Sequence, residues 1–382
     1  MLSSRDHRNV SSSGAGNTRS LGSPWATPSL DPSPTSQFHG VQATMPSCSS
    51  GALFSVSPIA IDKITYIVPL GGPNPLPGEH VYFIITRGAR NSTAPTQIVN
   101  LFAPGDLTAF RIGRQVQTTN GKIGNTDYFV YFTPCREVTV LFAHVSSLTG
   151  PLGGIPFDQC AQPYAIGDGS LYEHCTAEIN IPLRAGELIG TAGGGAAAGI
   201  DFDIDDWRLS VPYVANPDRQ YDLTAACPLD YYQGDAAASL RALLGHGSPG
   251  THLAQGCGQI FQDKAGTLQG NWFNGPPAQT NGNITKMAAL VHENFDPTLG
   301  AISIGGTIGV HGVWDFTPAH SGTINREFSE VTPGDSIYCY QAAGMPGRLL
   351  IQLVTDTTLS IEHQSGGCTG NVAFASAVAY QR

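Results

Sequence analysis

The sequence predicts a mainly β protein: a first domain built as a β-barrel or sandwich, then an antiparallel β domain with one short helix. Three observations lead there. Gly (46) and Pro (27) supply nearly a fifth of the 382 residues, a composition of short strands and tight turns. Charged residues make up 13% of the chain, about half the usual ~25%, while the apolar share is ordinary. Stretches with a period of two recur from residue 62 onward, whereas a single stretch has a convincing helical period. The chain exceeds one core of ~100–200 residues, so two domains are expected.

Residues 1–57 are rich in Ser, Gly, Pro and Thr without a period and read as a disordered leader. Strands are predicted at 63–68, 80–86, 97–102, 108–116, 127–133, 137–145, 176–181, 187–191 and 199–209. In the last of these, Ile200, Phe202 and Ile204 alternate with Asp201, Asp203 and Asp205. One face therefore meets a core and the other carries three carboxylates. Polar residues and Pro217 then interrupt the pattern, which sets the first domain at 58–215 and the second at 216–382. The helix opens the second domain. Asp235 caps it, Leu240, Leu243 and Leu244 share a face, and Gly245 ends it. Strands follow at 286–292, 301–310, 336–341, 348–354, 358–362 and 371–380.

Net charge is −10, with 19 Lys and Arg against 29 Asp and Glu and no basic block. Nucleic acid and anionic membrane surfaces are poor partners for such a chain. No stretch approaches the ~18 apolar residues of a membrane span. Eight cysteines stand at wide spacing without a C-x-x-C pair, which points to disulfides and an oxidising compartment rather than zinc knuckles or thiol redox chemistry. The local pairs are Cys160–Cys175, Cys227–Cys257 and Cys339–Cys368; Cys48–Cys135 would complete the set, although spacing does not prove connectivity. Residues 1–30 carry no apolar h-region. An exported protein is still expected, its leader trimmed away or lost to a misassigned start.

Three landmarks between residues 64 and 209 carry a family resemblance. Residues 103–106 read A-P-G-D before a strand, 140–148 read V-L-F-A-H-V-S-S-L, and 185–194 read A-G-E-L-I-G-T-A-G-G, leading into G-I-D-F-D-I. In order and spacing the stretch resembles the lysostaphin-type zinc peptidases (peptidoglycan endopeptidase-like, duplicated hybrid motif), whose strands read "Y-x-H-L-S" and "G-x-x-I-G-x-x-G" leading into "H-L-H-F-E-I". The resemblance implies a β-barrel or sandwich and a cell-wall peptide as partner. It also implies one zinc, held by the His and Asp of H-x-x-x-D and the second His of H-x-H, with water in the fourth position.

This chain departs from that pattern at the metal. The H-x-H positions fall on Gly199 and Asp201, and the H-x-x-x-D positions on Gly78 and Tyr82. His144 alone matches a family active-site position, where it would assist catalysis. A degenerate, non-catalytic domain without a cofactor follows. The alternative is a rebuilt zinc site from His80, His144 and Asp201, since two imidazoles and a carboxylate form an acceptable zinc set.

The second part resembles no family. Trp272 and Phe273, beside Asn271, and Trp314 lie in Gly-rich surroundings. They are candidates for stacking on a glycan, with the core as the plainer destination for both tryptophans. The run Asp201, Asp203, Asp205, Asp206 alternates as a strand and lacks a calcium loop's geometry. The expectation is an exported, non-catalytic protein that binds a cell-envelope peptide, glycan or protein partner. A divergent zinc metallohydrolase is the alternative, and whether His80, His144 and Asp201 meet within ligand distance is what separates the two.

Overall fold

A computed structural model describes residues 40–85, 97–165, 170–194, 198–209, 214, 223–245, 254, 256–276, 283–370 and 372–382. The chain is mainly β, with antiparallel sheets and a half-barrel.

The first sheet contains β1 (Ile64–Val68), β2 (His80–Ile85), β3 (Val99–Phe102), β4 (Leu107–Thr119), β5 (Lys122–Cys135), β6 (Val138–Leu148), β7 (Gln159–Cys160), β8 (Tyr164–Ala165), β9 (Leu171–Leu183), β10 (Leu188–Ala192) and β11 (Gly199–Asp206). Its main path runs β1-β2-β11-β6-β5-β4-β9-β7. The alternation in β11 places Ile200, Phe202 and Ile204 in the core. There Phe202 stacks edge-on against Phe142 at 4.8 Å between centroids and packs beside Phe83 and Phe54. Asp201, Asp203 and Asp205 consequently share the opposite face.

Strand β6 serves two partners. Residues 138–143 pair with β11, while 145–148 pair with β10. Strands β10 and β11 are thus two halves of one path along β6, broken between them by a Gly-rich segment. Gly193 and Gly194 adopt φ of 81° and 73° there, a region that a Cβ disfavours. Opposite the break, β6 carries a bulge. Phe142 faces Val130 and Val145 faces Tyr128, so β6 spends one residue more than β5 across this step. His144 absorbs the irregularity with φ of 62°. Strict alternation from Phe142 would send His144 into the core; the bulge turns it to the carboxylate face.

Two sequence expectations change here. The leader was expected to run to residue 57, yet 40–57 pack against the sheet. Phe54 is 2% exposed in the first core, Gln42 Nε2 donates to Thr139 Oγ1 at 2.8 Å, and Cys48 is joined to Cys135. Residues 1–39 lie outside the described residues. The helix α2 (Gly234–Arg241), which follows the short α1 (Gly40–Thr44) in the chain, also belongs to the first core, not to the second domain. Leu240 and Leu244 are buried in it, Leu244 bridges to Ile67, and Cys227–Cys257 ties the segment down. An amphipathic pattern announces a buried face but not the surface that buries it. Asp235 lies in the first turn, and Gln233 holds the N-cap position.

The other expected disulfides, Cys160–Cys175 and Cys339–Cys368, are also formed, and four such bonds fit an oxidising compartment. No helix among the described residues is long and apolar enough to cross a membrane.

The second sheet runs β15-β14-β13-β12-β19-β18-β17-β16. Its strands are β12 (Gly270–Phe273), β13 (Met287–His292), β14 (Gly300–Ile304), β15 (Gly312–Phe316), β16 (Tyr338–Tyr340), β17 (Arg348–Thr355), β18 (Thr358–Gln364) and β19 (Val378–Gln381). Strands β12 and β19 meet through the single pair Phe273–Gln381. The sheet folds there, and Phe316 near one end of the path meets Tyr340 at the other, 5.5 Å apart.

Trp272, Phe273 and Trp314 are core residues, which corrects their reading as glycan platforms. Trp272 is 0% exposed and Trp314 7%, and their indole nitrogens donate to Leu268 O and Gly344 O. The strands that carry them, β12 and β15, begin at Gly270 and Gly312 and were not anticipated. The face of Trp272 is taken by Arg382, whose guanidinium sits 4.3 Å from the ring centroid. That guanidinium also donates to the carbonyls of Gln269, Thr267 and Asp356. Arg382 therefore clamps the corner where the sheet folds.

Two substitutions test this packing. Arg382→Ala removes a half-buried cation–π contact and its carbonyl bonds, and should cost the second domain about 2–3 kcal/mol in chemical denaturation. Asp206→Ala should cost the first about 2–4 kcal/mol. It leaves Tyr231 OH and the Arg208 guanidinium, which bond Asp206 at 2.6–2.8 Å, without their acceptor.

Candidate functional site

The carboxylate face of the first sheet, beside the fork in β6, gathers the expected residues. His80 opens β2 and is registered opposite Asp203; Tyr82 is opposite Asp201, and Asp201 is opposite Ala143. His80 Nε2 lies 3.6 Å from Asp201 Oδ1, and His144 Nε2 lies 3.4 Å from Asp201 Oδ2. His80, His144 and Asp201 therefore converge, with the carboxylate between the two imidazoles.

Asp127, on β5, completes the array. Its Oδ2 is 2.8 Å from His144 Nδ1, so the ring is held from behind with Nε2 turned toward Asp201. Asp127 was not singled out in the sequence. The hairpin alone does not reveal it: continuing the Val130–Phe142 ladder sets Tyr128 opposite 144, and the bulge that turns His144 over brings it to Asp127 instead. Tyr82 meets His144 edge-on at 6.2 Å between ring centroids.

The electrostatics are lopsided. Burial opposes charge on His144, but the Asp127 hydrogen bond and the charges of Asp201 and Asp127 outweigh it and raise its pKa to about 9. Asp203 is pushed well up, first by burial and then by the charges of Asp201, Glu79 and Asp205. Burial lifts Asp205 to about 7, against a hydrogen bond from Thr224 and with help from Glu79. Burial, with Asp201 beside it, also raises Tyr82. Asp203 Oδ1 is buried without a hydrogen-bond partner, with His80 Nδ1 4.0 Å away. The cleft thus crowds carboxylates that raise one another's pKa, and positive charge from a ligand would relieve them.

The donor types suit zinc. The 3.4 and 3.6 Å contacts to Asp201 are long for hydrogen bonds. They lie near the ~3.3–3.4 Å between neighbouring ligands of a tetrahedral ion with bonds of ~2.0–2.1 Å. The set does not close, however: one donor each from His80, His144 and Asp201 do not all lie within 4.8 Å of one another. Cys160, Glu173 and Cys175 do cluster that tightly, but both sulfurs are in a disulfide, which leaves no thiolate ligand there.

No protein-family model, curated protein or solved structure matches the chain.

The His144–Asp127 pair makes a pH-dependent contribution in metal-free protein. The folded pKa of about 9 exceeds the ordinary 6.5, so the stabilisation is complete below pH about 6.5 and fades as pH rises through about 9. NMR titration of the His144 ring should show a midpoint near 9. Asp127→Asn should move it down by roughly one unit or more.

Proposed function

We propose that the first domain is a non-catalytic, peptidase-like binding module of an exported protein. Its carboxylate-lined cleft takes a cell-envelope ligand that presents positive charge, such as a peptide with a free amino group. One observation carries this reading: His80, His144 and Asp201 stand beside one another without closing to a common ligand distance. A water-activating metal needs three protein donors around one point, and the family's other histidine positions are held by Gly78 and Gly199.

The lysostaphin-type resemblance supports a peptide-sized groove and an envelope partner, and the four disulfides support delivery to an oxidising compartment. The carboxylates set the sign of the ligand: Asp201, Asp203 and Asp205 crowd one face beside the imidazoles of His80 and His144. A ligand that carries positive charge suits that face better than a neutral glycan.

The test uses the purified full chain with insoluble cell-wall peptidoglycan. Retention without cleavage is expected. It should weaken with added salt, and Asp201→Asn or Asp203→Asn should lower it roughly fivefold or more. Metal analysis of the same sample should find no stoichiometric zinc. Stoichiometric zinc, with cross-link cleavage abolished by His80→Ala and His144→Ala, would overturn the reading in favour of a divergent metallohydrolase.

A further inference from the structure

The connection between β1 and β2 is a loop with an unusual destination. Its neck is closed by Gly71 N–H donating to Gly78 O at 2.9 Å and Gly78 N–H donating to Gly72 O at 3.1 Å. A bridge between Pro73 and Pro77 narrows it further. Leu76, near its tip, is nevertheless 4% exposed. It is buried among Phe273, Met287, Ala289, Val291 and Ala301, on the face of β12–β13–β14 that points away from the second domain's own core. A loop of the first domain therefore plugs the outer face of the second.

The neck is stitched down as well. Asn294 Nδ2 donates to Pro69 O at 2.7 Å, and Leu70 N–H donates to Cys257 O at 2.8 Å. The backbones touch so closely that a Cβ on Gly71 would stand 1.9 Å from Gln259 O. A Cβ on Gly258 would stand 2.1 Å from Leu70 O. Neither position admits a side chain without moving the chain. Two residues beyond Gly78, the same segment becomes β2 with His80, whose side chain is 36% exposed and within 3.6 Å of Asp201. His144 has Asp127 behind it; His80 has the anchored loop.

We infer that the second domain is a positioning clamp for the cleft: its grip on Leu76 and Pro69 sets where His80 stands relative to Asp201. Leu76 and Asn294 are positioning residues, and neither touches the carboxylate face. The bearing of the clamp on ligand affinity rests on the binding role proposed above. The placement of His80 does not, so the two can fail separately.

The experiment follows the ring resonances of His80 and His144 by NMR in the full, metal-free, ligand-free chain. Amide exchange at Gly71 and Gly78 is measured alongside. In Leu76→Ala, exchange at both glycines should accelerate roughly tenfold or more. The His80 resonance should shift or broaden and the His144 resonance should stay in place, which reports an intact sheet. Leu76→Met should restore both. Asn294→Ala, a milder change at the neck, should move His80 in the same direction and covers the case in which Leu76→Ala does not fold. Faster exchange with an unmoved His80 resonance would overturn the inference, and so would unchanged exchange.

Discussion

Much of the first domain depends on one backbone constraint: a single strand, β6, must pair on one edge with two successive strands that do not join smoothly. The Gly-rich break between β10 and β11 and the bulge at His144 are two sides of that one accommodation. Left-handed backbone at a histidine carries a strain of order 1 kcal/mol or more, and the surrounding ladders hold it in place. The reward is direction. A side chain that alternation would bury emerges where strand pairing is incomplete, beside Asp201 and in reach of Asp127.

From that point the chemistry is a matter of counting charges. The face that β11 offers to the cleft is acidic at every second residue, and hydrophobic contacts on its other face forbid it to turn over. Phe202 meets three other aromatic rings there, so a one-residue slip would bury three carboxylates and expose the centre of the core. The core thereby fixes the acidity of the cleft. The same strand keeps Asp206 apart from the row, folded back on Arg208 and Tyr231. There it anchors the segment that leads to α2 and takes no part in the cleft.

The legible parts of this structure are those written in local periodicity. The β11 alternation and the strong β2 strand could be read from their own residues, and the cysteine pairs could be guessed from spacing; His80, His144 and Asp201 could be named as candidates, but only the strand register shows that they stand together. Three features could not. The helix at 234–241 shows one apolar face, and nothing local says that this face joins the core of Phe54 and Ile67, far back in the chain. The strands that carry Trp272 and Trp314 went unread because they are four or five residues long and begin with glycine, too short for a period to register. Leu76 sits in a Gly- and Pro-rich loop that reads as a turn, and its burial depends on a sheet some two hundred residues downstream.

The cross-links divide the molecule in a telling way. Three of them lie within the part built on the first sheet and the fourth, Cys339–Cys368, within the second; none spans the seam between them. Each half is therefore tied by covalent bonds, while the packing of Leu76 and the Asn294–Pro69 hydrogen bond cross between them without one. A load applied across the two halves would therefore fall on that seam and on the connecting chain before it reached any of the four cross-links.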